Sequence, residues 1–80
     1  MKVKKIIKKC NQYQDIRILN QHDTLFWQGY ALDLIRGYPN NREIYFIQES
    51  EVLGIKTIII KSDNVGISTL DIYIKIEEKK

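Results

Sequence analysis

The opening residues, MKVKKIIKKC, place apolar side chains among lysines with a helical period. Four apolar side chains follow the spacing i, i+3, i+4 and i+7, which gathers them into one stripe of an α-helix and leaves the lysines on the opposite side. These four residues are Val3, Ile6, Ile7 and Cys10. The pattern predicts a short amphipathic helix that ends near Asn11. Because so short a helix is marginal alone, its apolar stripe must dock on another element.

The next two apolar runs favour β-strands. DIRIL (residues 15–19) and LFWQGYAL (residues 25–32) are separated by the polar turn sequence NQHD. Both faces of the second run are apolar, which predicts a central strand. Within it, Gly29 indicates a bulge or the close approach of another backbone or ring. The pattern leaves open whether Trp27 belongs to the core or to an exposed recognition patch.

The second half of the chain predicts mostly strands. DLIRGYPNN allows a turn of helix at most, around residues 33–36, because Pro39 disfavours helical angles in the residue before it. EIYFIQE (43–49) and IKTIIIK (55–61) are rich in β-branched and aromatic residues and predict a hairpin. After a turn at SDNVG, TLDIYIKIE (69–77) alternates strictly and predicts a strand with one wet face. Its apolar face consists of Leu70, Ile72, Ile74 and Ile76.

Together these elements predict an α+β fold in a single domain, residues 1–80. We expect the short N-terminal amphipathic helix to pack on a roughly five-stranded antiparallel sheet or small open barrel. The helix stripe and the apolar face of residues 69–77 are the natural partners in one core.

Composition is typical of a folded globular chain, with 44% hydrophobic and 29% charged residues. Cys10 is the single cysteine and His22 the single histidine, so we expect no internal disulfide, no zinc site and no cofactor. Only two consecutive apolar residues follow the first lysines, where an export signal needs about 7–15. No apolar stretch approaches the roughly 20 residues of a membrane span. We therefore expect a cytoplasmic protein without membrane contact.

A nucleophile–base pair of the kind that catalyses group transfer is not indicated. Cys10 lies on the apolar stripe and His22 in a predicted turn, and the glycines form no phosphate-binding loop. We therefore expect no catalytic residues and no enzyme activity. A small ribonuclease-type toxin remains a third hypothesis, suggested by size and basicity.

Positive charge is concentrated at the N-terminus. The chain carries a net charge of +3, and residues 1–10 hold five lysines. Their helical face is either solvated or tracks a phosphate backbone. Because this helix lacks Arg, Asn and Gln, such binding would be nonspecific. The candidate nucleic-acid contacts are Lys4, Lys5, Lys8 and Lys9.

Tyrosines are too numerous to fit inside so small a domain, so some must be exposed. Tyr38 lies on the Pro39 loop between two arginines, a composition enriched at protein–protein hot spots. The residues of this predicted partner-binding surface are Tyr30, Arg36, Tyr38 and Arg42.

The order KVKKIIKKC, DIRIL, polar turn, LFWQGYALDLI and REIYFI resembles a type of small accessory protein from phages and mobile elements of low-GC bacteria. The resemblance covers residues 2–47. It implies a stoichiometric inhibitor of a host defence component, such as an anti-CRISPR protein. The leading hypothesis is a non-enzymatic protein-binding module that acts through an exposed strand edge or the Tyr/Arg loop. A second copy of the chain can also cap such an edge, so a homodimer stays open.

Overall fold

A computed structural model describes residues 1–62 and 65–77 of the chain. Within these residues, three helices and four strands form an α+β arrangement, which confirms the predicted class. In chain order they are α1 (Val3–Ile7), β1 (Asp15–Leu19), β2 (Leu25–Tyr30), α2 (Ala31–Gly37), α3 (Arg42–Glu49), β3 (Val52–Ser62) and β4 (Val65–Ile74). The turn predicted at SDNVG includes residues 63 and 64, which lie outside the described residues.

The sheet is mixed, with the strand order β2-β1-β4-β3. β1 pairs antiparallel with β2 but parallel with β4, and β3 pairs antiparallel with β4. The prediction of about five antiparallel strands is therefore wrong in detail. The parallel pair arises because α2 and α3 separate the two halves of the sheet, so that the last strand returns beside the first one.

The segment predicted as a strand at 43–49 is helix α3. The Asn41 side chain begins this helix by accepting a hydrogen bond from the Ile44 backbone N–H at 3.0 Å. Ile47 and Gln48 are buried, whereas the aromatic residue between Ile44 and Ile47 in sequence, Tyr45, is exposed. The spacing i, i+3 and i+4 of the inward residues therefore prevails over the strand propensity of individual residues. The turn predicted at 33–36 is also longer, since α2 spans Ala31–Gly37.

The core lies between the helices and one face of the sheet, as the two clearest sequence patterns predict. Val3 and Ile7 of α1 are buried in one cluster with Ile72 and Ile74 of β4. Ile6, Cys10, Leu70 and Ile76 are partly buried and pack against this cluster. The docking of the N-terminal helix on the apolar face of the last strand is thus confirmed.

β2 lies at an edge of the sheet, so the prediction of a central strand is wrong. Trp27 pairs with Ile18, is half-buried and packs against the core. Its ring lies so close to Gly29 that a Cβ added there would be 2.7 Å from Cη2 of the indole, which confirms the predicted close approach. Phe26 is exposed but contacts the Phe46 ring of α3, with 6.0 Å between centroids. Such aromatic contacts explain why an edge strand is apolar on both faces.

The face of β4 opposite the helices is less wet than its alternation predicts. Asp71 is fully buried, although it lies on that face. β4 is an inner strand, and Arg17 of β1 and Lys56 of β3 flank Asp71 in register. The neighbouring strands therefore enclose a side chain that the local pattern assigns to solvent.

Candidate functional site

The open edge of β3 is the most distinctive exposed feature of the sheet. β3 is the longest of the described strands, with 11 residues, and β4 pairs along one of its sides. On the other side, the Val52 N–H donates to the Met1 carbonyl at 2.8 Å, and the Val3 N–H donates to the Ser50 carbonyl at 3.0 Å. From Leu53 onward, no described residue pairs with this side. The backbone there is available to another strand.

Apolar side chains accompany this open edge. Leu53, Ile55 and Ile59 are 56%, 51% and 65% exposed. Ile55 pairs directly with Ile72, so it lies on the same face as the core, but the helices leave it uncovered. Soluble proteins usually blunt such edges with charge, proline or a cover. A long edge with exposed isoleucines is therefore a feature that calls for a partner.

The β3–β4 hairpin also extends past the rest of the sheet. β1 pairs with residues 69–73 of β4, whereas β3 pairs with β4 as far as Ser62 and Val65. The far part of the hairpin is therefore a two-stranded ribbon beyond β1. This geometry presents the edge of β3 away from the helices.

The four residues of the predicted partner-binding surface lie in two places. Tyr30 and Tyr38 flank α2 at its opposite ends. Tyr30 is half-exposed and packs edge-to-face on Tyr13, with 6.3 Å between ring centroids. Arg36 and Arg42 are exposed near the connection of α2 to α3, where Tyr38 also lies. The structure thus places Arg36, Tyr38 and Arg42 at one connection and Tyr30 at the other end of the helix.

Tyr38 belongs to an internal cluster around Glu49. Its hydroxyl donates to the Glu49 carboxylate. Lys2 and Lys4 bind the same carboxylate at 2.8 and 2.7 Å. The Tyr38 ring stacks on Tyr45, with 5.7 Å between centroids and planes 5° apart. Sequence reasoning missed this cluster because Glu49 is 45 residues away from Lys4.

The cluster shifts the protonation of its members. Hydrogen bonds from Lys2, Lys4 and Tyr38 lower the pKa of the Glu49 carboxyl to about 2. The bond to Glu49 raises the pKa of the Lys4 ammonium, and that of the Tyr38 hydroxyl is raised for the same reason. Glu49 therefore stays ionised and joins α3 to the start of the chain.

The predicted basic face is divided by this cluster. Lys4 is half-buried and bound to Glu49, whereas Lys5, Lys8 and Lys9 are exposed. Among the described residues, no ion pair includes these three lysines. Three of the four candidate nucleic-acid contacts thus remain accessible to an anion.

The two residues weighed for catalysis or metal binding lie apart. Cys10 is partly buried, its thiol donates to the Ile6 carbonyl at 3.3 Å, and burial raises the pKa of the thiol. His22 is exposed in the turn between β1 and β2. In the part of the chain that the structure describes, His, Cys, Asp and Glu side chains form no group of three able to hold a metal ion. The helices described there are too short or too polar to cross a bilayer.

In comparisons with protein-family models, curated proteins and solved structures, nothing matches this chain.

Proposed function

We propose that this chain is a non-enzymatic protein-binding module that captures an extended segment of its partner along the edge of β3. The observation that carries the proposal is the unpaired edge from Leu53 onward, together with three exposed apolar side chains beside it. In strand addition, backbone hydrogen bonds supply affinity, and the side chains next to the edge supply specificity.

The composition of β3 indicates which segment fits. Its sequence VLGIKTIIIKS carries lysine but no acidic residue. A complementary segment is extended and apolar, with acidic residues near its ends, because opposite charges across a strand pair stabilise it. The resemblance of residues 2–47 to phage accessory proteins makes a host defence component, such as a CRISPR effector, the first partner to test.

The test uses charge on the edge itself. In the variant Ile55→Lys/Ile59→Lys, both side chains are already more than half exposed, so we expect the fold to survive. Lysine on an edge opposes strand addition. We expect capture of the purified partner to be lost, whereas circular dichroism stays that of the parent chain.

Leu25→Lys is the matched control, because Leu25 is 49% exposed on β2, the other edge strand. This control should capture the partner as the parent chain does. Retained capture by Ile55→Lys/Ile59→Lys would overturn the edge as the binding surface. Light scattering on the same proteins tests the homodimer, because pairing of β3 with a second copy predicts a dimer that only the edge variant dissociates.

A nonspecific nucleic-acid-binding module is the second candidate, and the exposure of Lys5, Lys8 and Lys9 supports it. Binding of this kind releases counterions, so its affinity falls steeply between about 50 and 200 mM salt. Fluorescence anisotropy with a labelled duplex measures this dependence. Undetectable or salt-insensitive binding excludes the candidate.

A further inference from the structure

A cleft of about 520 Å³ opens between the three helices. Ile7 of α1, Ile35 of α2 and the ring of Tyr38 give it apolar walls. Small-molecule sites in proteins have about this volume, with mostly apolar walls and a few polar groups that fix the orientation of the ligand. The cleft belongs to the helical layer, so it is a different feature from the open edge of β3.

Gln48 gives the floor of the cleft an unusual polar group. The side chain lines the cleft, and the residue is only 3% exposed. Its Nε2 donates to the Leu34 carbonyl at 3.1 Å, but its Oε1 has no hydrogen-bond partner among the described residues. Buried amide oxygens are almost always paired, because an unpaired one has lost its hydration without compensation. This oxygen therefore calls for a donor, and an N–H of a ligand in the cleft supplies one.

Two lysines give the mouth of the cleft its charge. Lys5 and Lys8 line it, both are exposed, and neither belongs to an ion pair of the described residues. Lys4 also lines the cleft, but Glu49 already neutralises it. The ammonium groups of Lys5 and Lys8 are thus the ones available to the acidic group of a ligand.

We propose that the cleft binds a small heteroaromatic anion. Its flat, largely apolar ring would lie against Ile7, Ile35 and Tyr38, and a ring N–H would donate to Oε1 of Gln48. Its acidic group would lie between Lys5 and Lys8. Carboxylate and phosphate share the chemistry that these lysines recognise, so the experiment compares the two.

The experiment is a titration of the ¹⁵N-labelled chain, followed through the Gln48 side-chain amide and the backbone amides of α1 and α3. Indole-3-acetate probes the carboxylate and adenosine monophosphate probes the phosphate. We expect saturable shifts at Gln48 with at least one probe, and the tighter one identifies the acidic group. Absence of saturable shifts at Gln48 with both probes at millimolar concentration overturns the proposal.

Matched ligands and variants test the individual contacts. Methylation of the ring nitrogen of indole-3-acetate removes the donor, and indole itself lacks the anion, so each should bind at least about tenfold more weakly. For whichever probe binds, Lys5→Gln and Lys8→Gln should weaken it severalfold. Lys9→Gln, the same charge change at a lysine that does not line the cleft, should leave it unchanged. Equal effects of all three substitutions would reduce the lysines to a general field and overturn their role.

Discussion

Arg17 and Asp71 join the two parallel strands of the sheet through a double hydrogen bond. They face each other in the register of β1 and β4. The Arg17 Nε donates to one carboxylate oxygen at 2.9 Å, and Nη2 donates to the other at 3.0 Å. The Asp71 side chain is 1% exposed and that of Arg17 35%. This pair therefore fixes the one parallel contact of the described sheet at its centre.

Removing one member of this pair should be far more damaging than removing both. Arg17→Met leaves the Asp71 carboxylate buried without its partner, which costs about 3–5 kcal/mol, whereas Arg17→Met/Asp71→Leu should recover most of the loss. Urea unfolding measures both free energies. Lys56→Gln, at the exposed flanking lysine, is the control and should cost less than about 1 kcal/mol. A single-variant loss as small as that of the control would contradict the prediction.

The cluster around Glu49 should make stability depend on acid. The folded-state pKa of Glu49 is about 2 and its ordinary value is 4.5. A carboxyl with a lowered pKa stabilises the fold fully above its unfolded value, and this contribution is lost as the pH falls through the folded value. The midpoint of thermal unfolding should therefore decrease more steeply between pH 4.5 and about 2 in the parent chain than in Glu49→Gln.

Glu43→Gln is the matched control for this experiment. Glu43 is an exposed residue in the first turn of the same helix, and none of the ion pairs of the described residues includes it. Its substitution should leave the slope of the parent chain in place. Parallel curves for Glu49→Gln and the parent would show that the cluster contributes nothing to acid sensitivity.

Local periodicity accounts for what could be predicted from the sequence. The stripe of α1 and the alternation of β4 each require one face of one element, and both faces meet in the core. The segment 43–49 was ambiguous because its seven residues combine strand-forming side chains with helical spacing, and the capping role of Asn41 was the overlooked signal. Strand order depends on contacts between distant segments, which no local pattern specifies.

The candidate site divides along the same line. An exposed strand edge was predicted in general, but its location on β3 follows from the parallel return of β4 beside β1. The lysines of α1 are evident from composition, whereas the neutralisation of Lys4 depends on where α3 brings Glu49. Likewise, Gln48 reads as a polar helix residue, and its burial at the floor of the cleft appears only after the three helices pack.

Gly29 should resist even the smallest enlargement. An alanine Cβ would be 2.7 and 2.9 Å from two atoms of the Trp27 indole and 3.1 Å from the Asp33 carboxylate. Overpacking of this kind costs about 1–3 kcal/mol. Gly54→Ala is the matched control, since nothing lies within 4 Å of a Cβ at that position. Thermal and urea unfolding should show a loss for Gly29→Ala alone, and equal stability of the two variants would contradict the close packing of the indole.

Tyr38 should affect stability before it affects recognition. Tyr38→Ala removes both the hydroxyl that donates to Glu49 and the ring that stacks on Tyr45, so we expect a lower unfolding midpoint. Arg42→Ala alters an exposed residue and should leave the midpoint unchanged. Tyr38→Phe keeps the stacked ring and separates the two effects. If Tyr38→Phe retains partner capture while Arg42→Ala abolishes it, the loop contributes to binding through its arginine. An unchanged midpoint for Tyr38→Ala would contradict the structural role given to the ring.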